Sequence, residues 1–276
     1  MSGEMQILEH EGQVFKLGCL VPEVRPTTFS AYADSKSLMS RSAAIDVLKD
    51  AKRVRSRVRF AGVEWIWSQG QVGSCNGYAG AGALCRARVS RGLEYVKMSG
   101  ESLYAQINGD VDRGSMLDDG MQALMKNGCA PADLVKWQTY RWRDVSPAAR
   151  ESLSRFKALE CYRVDTEDEL LIGLASGYQG VIAVEANNSF MRVDSEGRVS
   201  PTDGWGNHAV GVDDARIFNG EVEFDMFNSW DLRYGVQGRG WVSWKRHLRT
   251  TSTKHAFYLI RSTLDDPKGD NPPELK

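Results

Sequence analysis

Four residues in three separate segments of this chain have the types needed for attack on a carbonyl group. Cys75 ends the segment SQGQVGSC, six residues after Gln69, while His208 lies in GNHAVGV and Asn228 lies in DMFNSW. A thiol attacks a carbonyl as the thiolate, which a helix N-terminus and a nearby imidazolium both stabilise. A histidine can take the thiol proton and return it to a leaving amine if its ring is held in one tautomer. These residue types predict acyl transfer through a cysteine nucleophile.

Each of the four residues has a predicted role in that chemistry. Cys75 is the expected nucleophile, His208 the general acid and base, and Asn228 the residue that holds the imidazole. The expected donors to the oxyanion are the backbone N–H of Cys75 and the side-chain amide of Gln69. A lone cysteine at a helix start is more often a small packing residue, so the prediction depends on the other three residues.

Local patterns indicate which elements carry these residues. Gly70 and Gly73 are expected to form an entry turn, and NGYAGAGALCRARVSRG then begins with small residues and continues with larger ones. This pattern predicts a central, closely packed helix that starts at Cys75. A second helix is predicted in TEDELLIGLASG, because Thr166 and Glu169 have the spacing of a capping box.

Strand-forming residues dominate the chain after Gly177, whereas helices dominate before it. VIAVEA, HAVGVDD, VEFDMF, WVSW and AFYLI are rich in branched and aromatic residues and are predicted strands. Cys75 then lies on a helical lobe, and His208 with Asn228 lies on a sheet lobe. The two lobes can bring these residues together only in the cleft between them. The predicted fold class is α+β.

The three segments resemble the papain-like cysteine peptidases, which show Gln-Gly-x-x-Gly-Ser-Cys, then Asn-His-Ala, then Asn-Ser-Trp in this order. His208 and Asn228 follow Cys75 by 133 and 153 residues, near the roughly 130 to 150 typical of this family. The resemblance implies the same four roles for Cys75, His208, Asn228 and Gln69. It also implies that Trp230 covers the hydrogen bond between asparagine and histidine.

The resemblance extends over about residues 60 to 260 and implies a two-lobe papain-like fold. The expected peptidase domain is 60–262, with a helical lobe at about 70–165 and an antiparallel sheet or barrel-like lobe at about 178–262. An N-terminal extension at 1–59 and a polar C-terminal tail at 263–276 are expected on either side.

A substrate groove is also implied by the resemblance. Residues 113–140, RGSMLDDGMQALMKNGCAPADLVKWQTY, resemble the family's glycine-bearing substrate loop, next helix and following loop. This resemblance makes Gly114 and Ser115 candidate substrate-binding residues together with Trp230. A plain turn at Gly114 and Ser115 is an equally good interpretation.

Two departures place the chain nearer to the bacterial and viral branch of the family. Val72 stands where the secreted members have a disulfide-bonded cysteine, and Asn76 stands where they have an aromatic residue. The five cysteines are an odd number without a metal-ligand spacing, so we expect reduced thiols, no metal and no cofactor. Asp231 replaces the glycine that usually follows Asn-Ser-Trp.

The N-terminal extension is too short, and lacks the long charged helices, to resemble the inhibitory propeptide of secreted relatives. We therefore expect activity to be limited by substrate access or by a partner, and not by removal of a pro-segment. The first residues lack the pattern of a secretory signal, and no stretch reaches membrane-spanning length. A soluble protein, cytoplasmic or virion-associated, is expected.

The charge pattern gives no argument for a nucleic-acid or membrane partner. The formal net charge is −1, and the basic run AKRVRSRVRF is interpreted as a solvated face or linker.

The sequence as a whole predicts a cysteine peptidase acting on peptide or protein substrates through a Cys75 thioester. One alternative is a structural part of a larger assembly such as a phage virion, docked on a partner through the N-terminal extension or the C-terminal tail. Another is an amidase of cell-wall peptides, which would use the same cysteine and histidine chemistry.

Overall fold

The computed structural model of the protein describes residues 5–36, 38–202 and 204–261. The predicted polar tail at 263–276 lies outside the described residues. The helices are α1 (Tyr32–Ser35), α2 (Arg41–Lys49), α3 (Ser56–Arg59), α4 (Cys75–Ser90), α5 (Gly100–Ala105), α6 (Leu117–Lys126), α7 (Pro147–Ser152) and α8 (Glu167–Ala175). The strands are β1 (Gln6–His10), β2 (Gln13–Leu17), β3 (Cys161–Val164), β4 (Gln179–Val184), β5 (His208–Phe218), β6 (Glu221–Phe227), β7 (Arg239–Val242) and β8 (Phe257–Ile260).

Short helical turns connect several of these elements. They are Ala132–Leu134, Trp142–Asp144, Leu153–Arg155, Trp244–Leu248 and Thr251–Thr253. Across residues 5–36, 38–202 and 204–261, no helix has the length and apolar character that crossing a bilayer requires.

Six strands form one antiparallel sheet in the order β3-β8-β4-β5-β6-β7. Within the described chain this sheet is open, with β3 and β7 at its edges, and β1 and β2 form a separate hairpin. Seven of the described helices, α1 to α7, precede the strands of this sheet in the chain. This separation gives the α+β, two-lobe architecture that the sequence predicts. The site residues on β5 and after β6 therefore belong to neighbouring central strands.

The central helix α4 begins at Cys75 as predicted and is buried for most of its length. Its small residues are needed for close packing, since a Cβ added at Gly77 would lie 2.2 Å from the carbonyl oxygen of Gly100 on α5. α4 also packs against β5. This packing holds the first residue of the helix against the sheet.

The predicted helix after Thr166 is α8, and its capping box is present: Glu169 N–H donates to the Thr166 hydroxyl, and the Thr166 N–H donates to the Glu169 carboxylate. The five predicted strand segments correspond to β4, β5, β6, β7 and β8. The hairpin β1-β2 and the strand β3 were not predicted. β3 has only four residues and owes its conformation to pairing with β8, which a local pattern does not reveal.

The interpretation of the basic run as a solvated face or linker holds for Lys52, Arg55 and Arg59, which are exposed, but not for Arg53 and Arg57. Arg53 donates to Asp214 on β5 at 2.5 Å, and Arg57 donates to Asp225 on β6 at 2.8 Å. Both carboxylates are buried. The run therefore fastens the N-terminal extension to the back of the sheet.

A buried ion-pair network continues from these carboxylates to the central helix. Arg86 Nε on α4 donates to Asp213 Oδ2 at 2.9 Å, and Arg239 on β7 pairs with both Asp213 and Asp225. The pairing of β5 with β6 is irregular between Val212 and Asp214, the point where Asp213 stands. Ionised groups without water are costly unless they are paired, so helix and sheet must keep this geometry.

Asp213→Asn is expected to destabilise the fold by about 3–5 kcal/mol, because it leaves buried guanidinium groups of Arg86 and Arg239 without a full counter-charge. The matched control is Asp168→Asn, which removes the carboxylate of a half-exposed pair with Arg41 and should cost less than about 1 kcal/mol. Urea denaturation of both variants and the parent chain measures the difference. Equal stability losses in the two variants would contradict a structural role for the network.

Candidate active site

Cys75 is fully buried at the first position of α4. The preceding turn contains Gly70 with a φ of +61°, a conformation that glycine adopts without strain. Burial raises the pKa of the Cys75 thiol to about 11, and backbone hydrogen bonds from Ala209 and Gly18 oppose this shift in part. The Cys75 thiol is therefore neutral. Its backbone hydrogen bond from Ala209 links it to the residue that directly follows His208.

His208 and Asn228 form the hydrogen bond that the sequence predicts. Nε2 of His208 lies 2.7 Å from Oδ1 of Asn228, and the Ser229 N–H donates to the same oxygen at 2.7 Å. Because that oxygen only accepts, Nε2 carries the ring proton and Nδ1 carries a lone pair. Nδ1 is buried and has no hydrogen-bond partner within the described chain, so the thiol of Cys75 is not bonded to it in this state.

Burial also determines the charge of the histidine. It lowers the pKa of His208 to about 4, while the hydrogen bond with Asn228 opposes the shift. The imidazole is therefore neutral at neutral pH. Thiol and imidazole are both held uncharged, which is the expected state of two polar groups that water does not reach.

Trp230 covers the histidine as predicted from the resemblance. Its ring stacks on His208 with centroids 4.3 Å apart and an angle of 22° between the planes. Phe190 and Tyr234 pack edge-on against the same indole. This aromatic cluster keeps water away from the bond between His208 and Asn228.

Gln69 lies in the site with its amide oriented by a neighbour of Asn228. Its Oε1 accepts from the Ser229 hydroxyl at 2.6 Å, which leaves the Nε2 group as a donor. Nε2 donates to the carbonyl of Val72 at 2.7 Å and to the carbonyl of Lys16 at 3.1 Å. The predicted oxyanion donor is thus already bonded to a carbonyl oxygen of the N-terminal extension.

Residues 6–20, here called the N-terminal strap, run across the predicted catalytic residues. The Cys19 N–H donates to the Asn207 carbonyl at 3.0 Å, directly before His208. Phe15 packs on Trp230 with ring centroids 4.6 Å apart. The strap therefore covers the predicted catalytic residues, although it has none of the long helices that signal a propeptide.

The predicted substrate residues Gly114 and Ser115 bind the strap. The Ser115 N–H donates to the Gly18 carbonyl at 2.8 Å, and the Leu20 N–H donates to the Ser115 carbonyl at 3.0 Å. Gly114 has a φ of +87°, which favours glycine at this turn. The loop thus offers backbone donors and acceptors to an extended chain, as a peptide-binding groove requires.

Gly18 is needed where the strap passes the nucleophile. A Cβ added at this position would lie 1.8 Å from the carbonyl oxygen of Gly73, two residues before Cys75. The two backbones therefore approach more closely than any other residue type would permit.

Sequence reasoning missed three residues of this site. Lys16 on the strap donates to Asp112 at 2.7 Å, and the carbonyl of Asn207 holds the strap. Asp112 directly precedes the segment that resembles the family's substrate loop, and this position is the one available signal. The contacts of Asn207 with Cys19 and of Lys16 with Gln69 are made by backbone carbonyls, which a residue type does not reveal.

Comparisons with known proteins identify the fold. No family model matches the chain, and no curated protein matches it. Among solved structures, xylellain, a cysteine protease from Xylella fastidiosa, is 20% identical with a TM-score of 0.67, over 89% of this chain and 95% of that chain.

Two further cysteine proteases have the same fold. Digestive procathepsin L 3 of Tenebrio molitor is 16% identical with a TM-score of 0.57, over 95% of this chain and 76% of that chain. The bromelain protease from Ananas comosus is 17% identical with a TM-score of 0.57, over 71% and 92%. The chain has the fold of the papain-like cysteine proteases.

Proposed function

We propose that the chain is a cysteine peptidase that cleaves peptide bonds through a thioester on Cys75. The observation that carries this proposal is the imidazole of His208, which has its proton bonded to Asn228 and a free lone pair on Nδ1. The Cys75 thiol, at the head of α4, accepts a backbone hydrogen bond from Ala209, the residue after His208. The shared fold with several cysteine proteases supports the same activity.

The proposed reaction begins when Nδ1 of His208 takes the thiol proton and the Cys75 sulfur attacks the substrate carbonyl carbon. The carbonyl oxygen becomes an oxyanion, which accepts hydrogen bonds from Gln69 Nε2 and from the Cys75 N–H. Hydrogen bonds of this kind are often long before substrate binds and shorten in the reacting complex.

The second half of the reaction releases the two products. Collapse of the intermediate breaks the carbon–nitrogen bond, and His208 gives its proton to the leaving amine. Water then attacks the Cys75 thioester while His208 removes its proton. The product carboxylate leaves and the thiol is restored.

This activity requires displacement of the strap, because the carbonyl of Lys16 occupies the amide of Gln69 and Gly18 lies against the thiol. The strap also keeps water from both catalytic groups, which holds them neutral. It is joined to the rest of the chain through Val21 and the exposed pair Glu23 and Val24. A cut at that point leaves the strap attached only by non-covalent contacts.

The first test labels Cys75 with an epoxide probe before and after such a cut. The recognition sequence of a site-specific protease is inserted between Glu23 and Val24, and the same preparation is compared uncut and cut. We expect labelling to be at least about tenfold faster after the cut, since ~1.4 kcal/mol of lost strap binding already gives tenfold more open site. A cut chain that leaves Cys75 unlabelled would favour the scaffold alternative.

Cys75→Ala and His208→Ala are each expected to abolish peptide hydrolysis by the cut chain. Gln69→Ala should lower kcat by on the order of a hundredfold or more, because it removes one oxyanion donor. Cys129→Ala, at a buried thiol away from the site, is the matched control for loss of a cysteine.

Protein substrates and peptidoglycan fragments are assayed side by side, and turnover of the fragments alone would identify a cell-wall amidase. Full activity of Cys75→Ala would exclude the mechanism.

The strap also predicts a shift in pH dependence. In the uncut chain burial raises the pKa of Cys75 to about 11, so thiolate should form only in strongly alkaline solution. Hydration of the cut chain removes that cause, and the apparent pKa should fall by at least 1 unit, on the order of the known effects of burial. The rate of Cys75 alkylation against pH, with Cys75→Ser as the blank, measures both values. Identical profiles before and after the cut would refute shielding by the strap.

A further inference from the structure

A cavity of about 720 Å³ lies on the helical lobe, and none of the predicted catalytic residues lines it. Its walls come from the C-terminal turns of α5, α6 and α7 and from the turns that follow these helices. Three of the lining side chains are cations, namely Lys126, Arg150 and Lys157, whereas Asp110 is the one carboxylate among them. We call it the basic cavity. Its excess of positive charge attracts anions.

The chain itself does not neutralise the cations of the basic cavity. Within the described chain no carboxylate forms a salt bridge with any of the three. Arg150 Nη2 donates to the Trp142 carbonyl at 2.7 Å, and its guanidinium carbon lies 4.9 Å from the centre of the Trp142 ring. Its Nε is buried and has no hydrogen-bond partner. Arg150 is therefore held in place with a donor that no group of the described residues satisfies.

Helix stability accounts for only part of this charge. Lys126 is the last residue of α6 and Arg150 lies in the last turn of α7, where the helix dipole favours a cation. Lys157 lies in no helix and donates no hydrogen bond within the described residues. The positive charge also extends beyond the cavity, since residues 126–157 contain seven lysines and arginines and three aspartates and glutamates, in a chain whose net charge is −1. Charge segregated in this way indicates an anionic partner.

The donors of the basic cavity fit carboxylates better than phosphate groups. Phosphate sites commonly use backbone N–H groups at a helix N-terminus, whereas the helix ends at this cavity are C-terminal and offer carbonyl groups. The cations must therefore bind an anion through their side chains. Leu153 and Trp142 add apolar wall to the same cavity. A cavity of this volume has room for several side chains of a peptide.

We propose that the basic cavity binds an acidic segment of a partner protein, in which glutamates or aspartates flank an apolar residue. The carboxylates pair with the three cations, and the apolar residue packs against Leu153 and Trp142. Charge-assisted hydrogen bonds are the stronger class, and Arg150 is already oriented by Trp142, which lowers the entropy cost of binding. The binding goes beyond the proposed peptidase and does not require its activity, since no predicted catalytic residue lines the cavity.

Direct binding to the full, uncut chain tests this proposal. The probe is a fluorescein-labelled peptide of four glutamates around one leucine, and the matched peptide has glutamines in place of the glutamates. Fluorescence anisotropy at physiological salt should give a Kd for the glutamate peptide at least about tenfold below that for the glutamine peptide, because glutamine lacks the charge that the cations bind. Equal Kd values for the two peptides would overturn the proposal.

Substitutions test whether the basic cavity is the binding site. Lys126→Gln with Lys157→Gln should weaken binding of the glutamate peptide by about tenfold, since exposed charge pairs are individually weak. Lys126→Glu with Lys157→Glu makes the lining net negative, so that a lysine peptide should bind better than the glutamate peptide. The matched control, Lys49→Gln with Lys52→Gln, removes two exposed lysines of the N-terminal extension. It changes the net charge equally and should keep Kd within about twofold of the parent value.

Several results would overturn an acidic partner segment as the ligand. An unchanged preference in the charge-reversed variant, or an equal loss in the control variant, would place the binding elsewhere. A single-stranded oligonucleotide of the same charge that binds more tightly, with the same dependence on the two lysines, would identify a nucleic-acid site. Binding that appears only after deletion of residues 263–276 would assign the cavity to the chain's own tail. Labelling of Cys75 by the epoxide probe tests the peptidase separately from all of these.

Discussion

The hydrogen bond between His208 and Asn228 is the interaction on which the rest of the site depends. It joins the first residue of β5 to the residue after β6, so the pairing of two central strands sets its length. The Ser229 N–H fixes the amide oxygen, and the Trp230 ring covers the imidazole. The ring is therefore locked in the tautomer that leaves a lone pair on Nδ1, which has no hydrogen-bond partner in the described chain.

A second constraint is the absence of water from the same place. Burial raises the pKa of Cys75 and lowers that of His208, and both shifts favour the neutral pair. The strap contributes to this burial with backbone contacts at Gly18 and Cys19 and with the ring of Phe15. One short segment thus occupies the donors of the cleft and suppresses the charge separation that a thiolate nucleophile needs.

A buried ion-pair network holds a later part of the N-terminal extension against the sheet. Arg53 and Arg57 fasten the extension to Asp214 and Asp225, and the same set of carboxylates reaches Arg86 on the central helix. Because these groups are buried, small displacements are costly. The pairs of Arg53 and Arg57 cannot be predicted from the basic run itself, since a run of arginines carries no local sign of the carboxylates that meet it.

Local residue types and spacing were enough to predict the central helix, five strands of the sheet and the contact between His208 and Asn228. The catalytic roles of Cys75, His208, Asn228 and Gln69 stay predictions. The helix, the strands and that contact depend on side-chain chemistry and on periodicity over a few residues. The covering strap, the salt bridge of Lys16 and the network around Asp213 could not be predicted in this way. Each one joins segments that are far apart in the chain through backbone carbonyls or paired charges, and folding alone brings those partners within bonding distance.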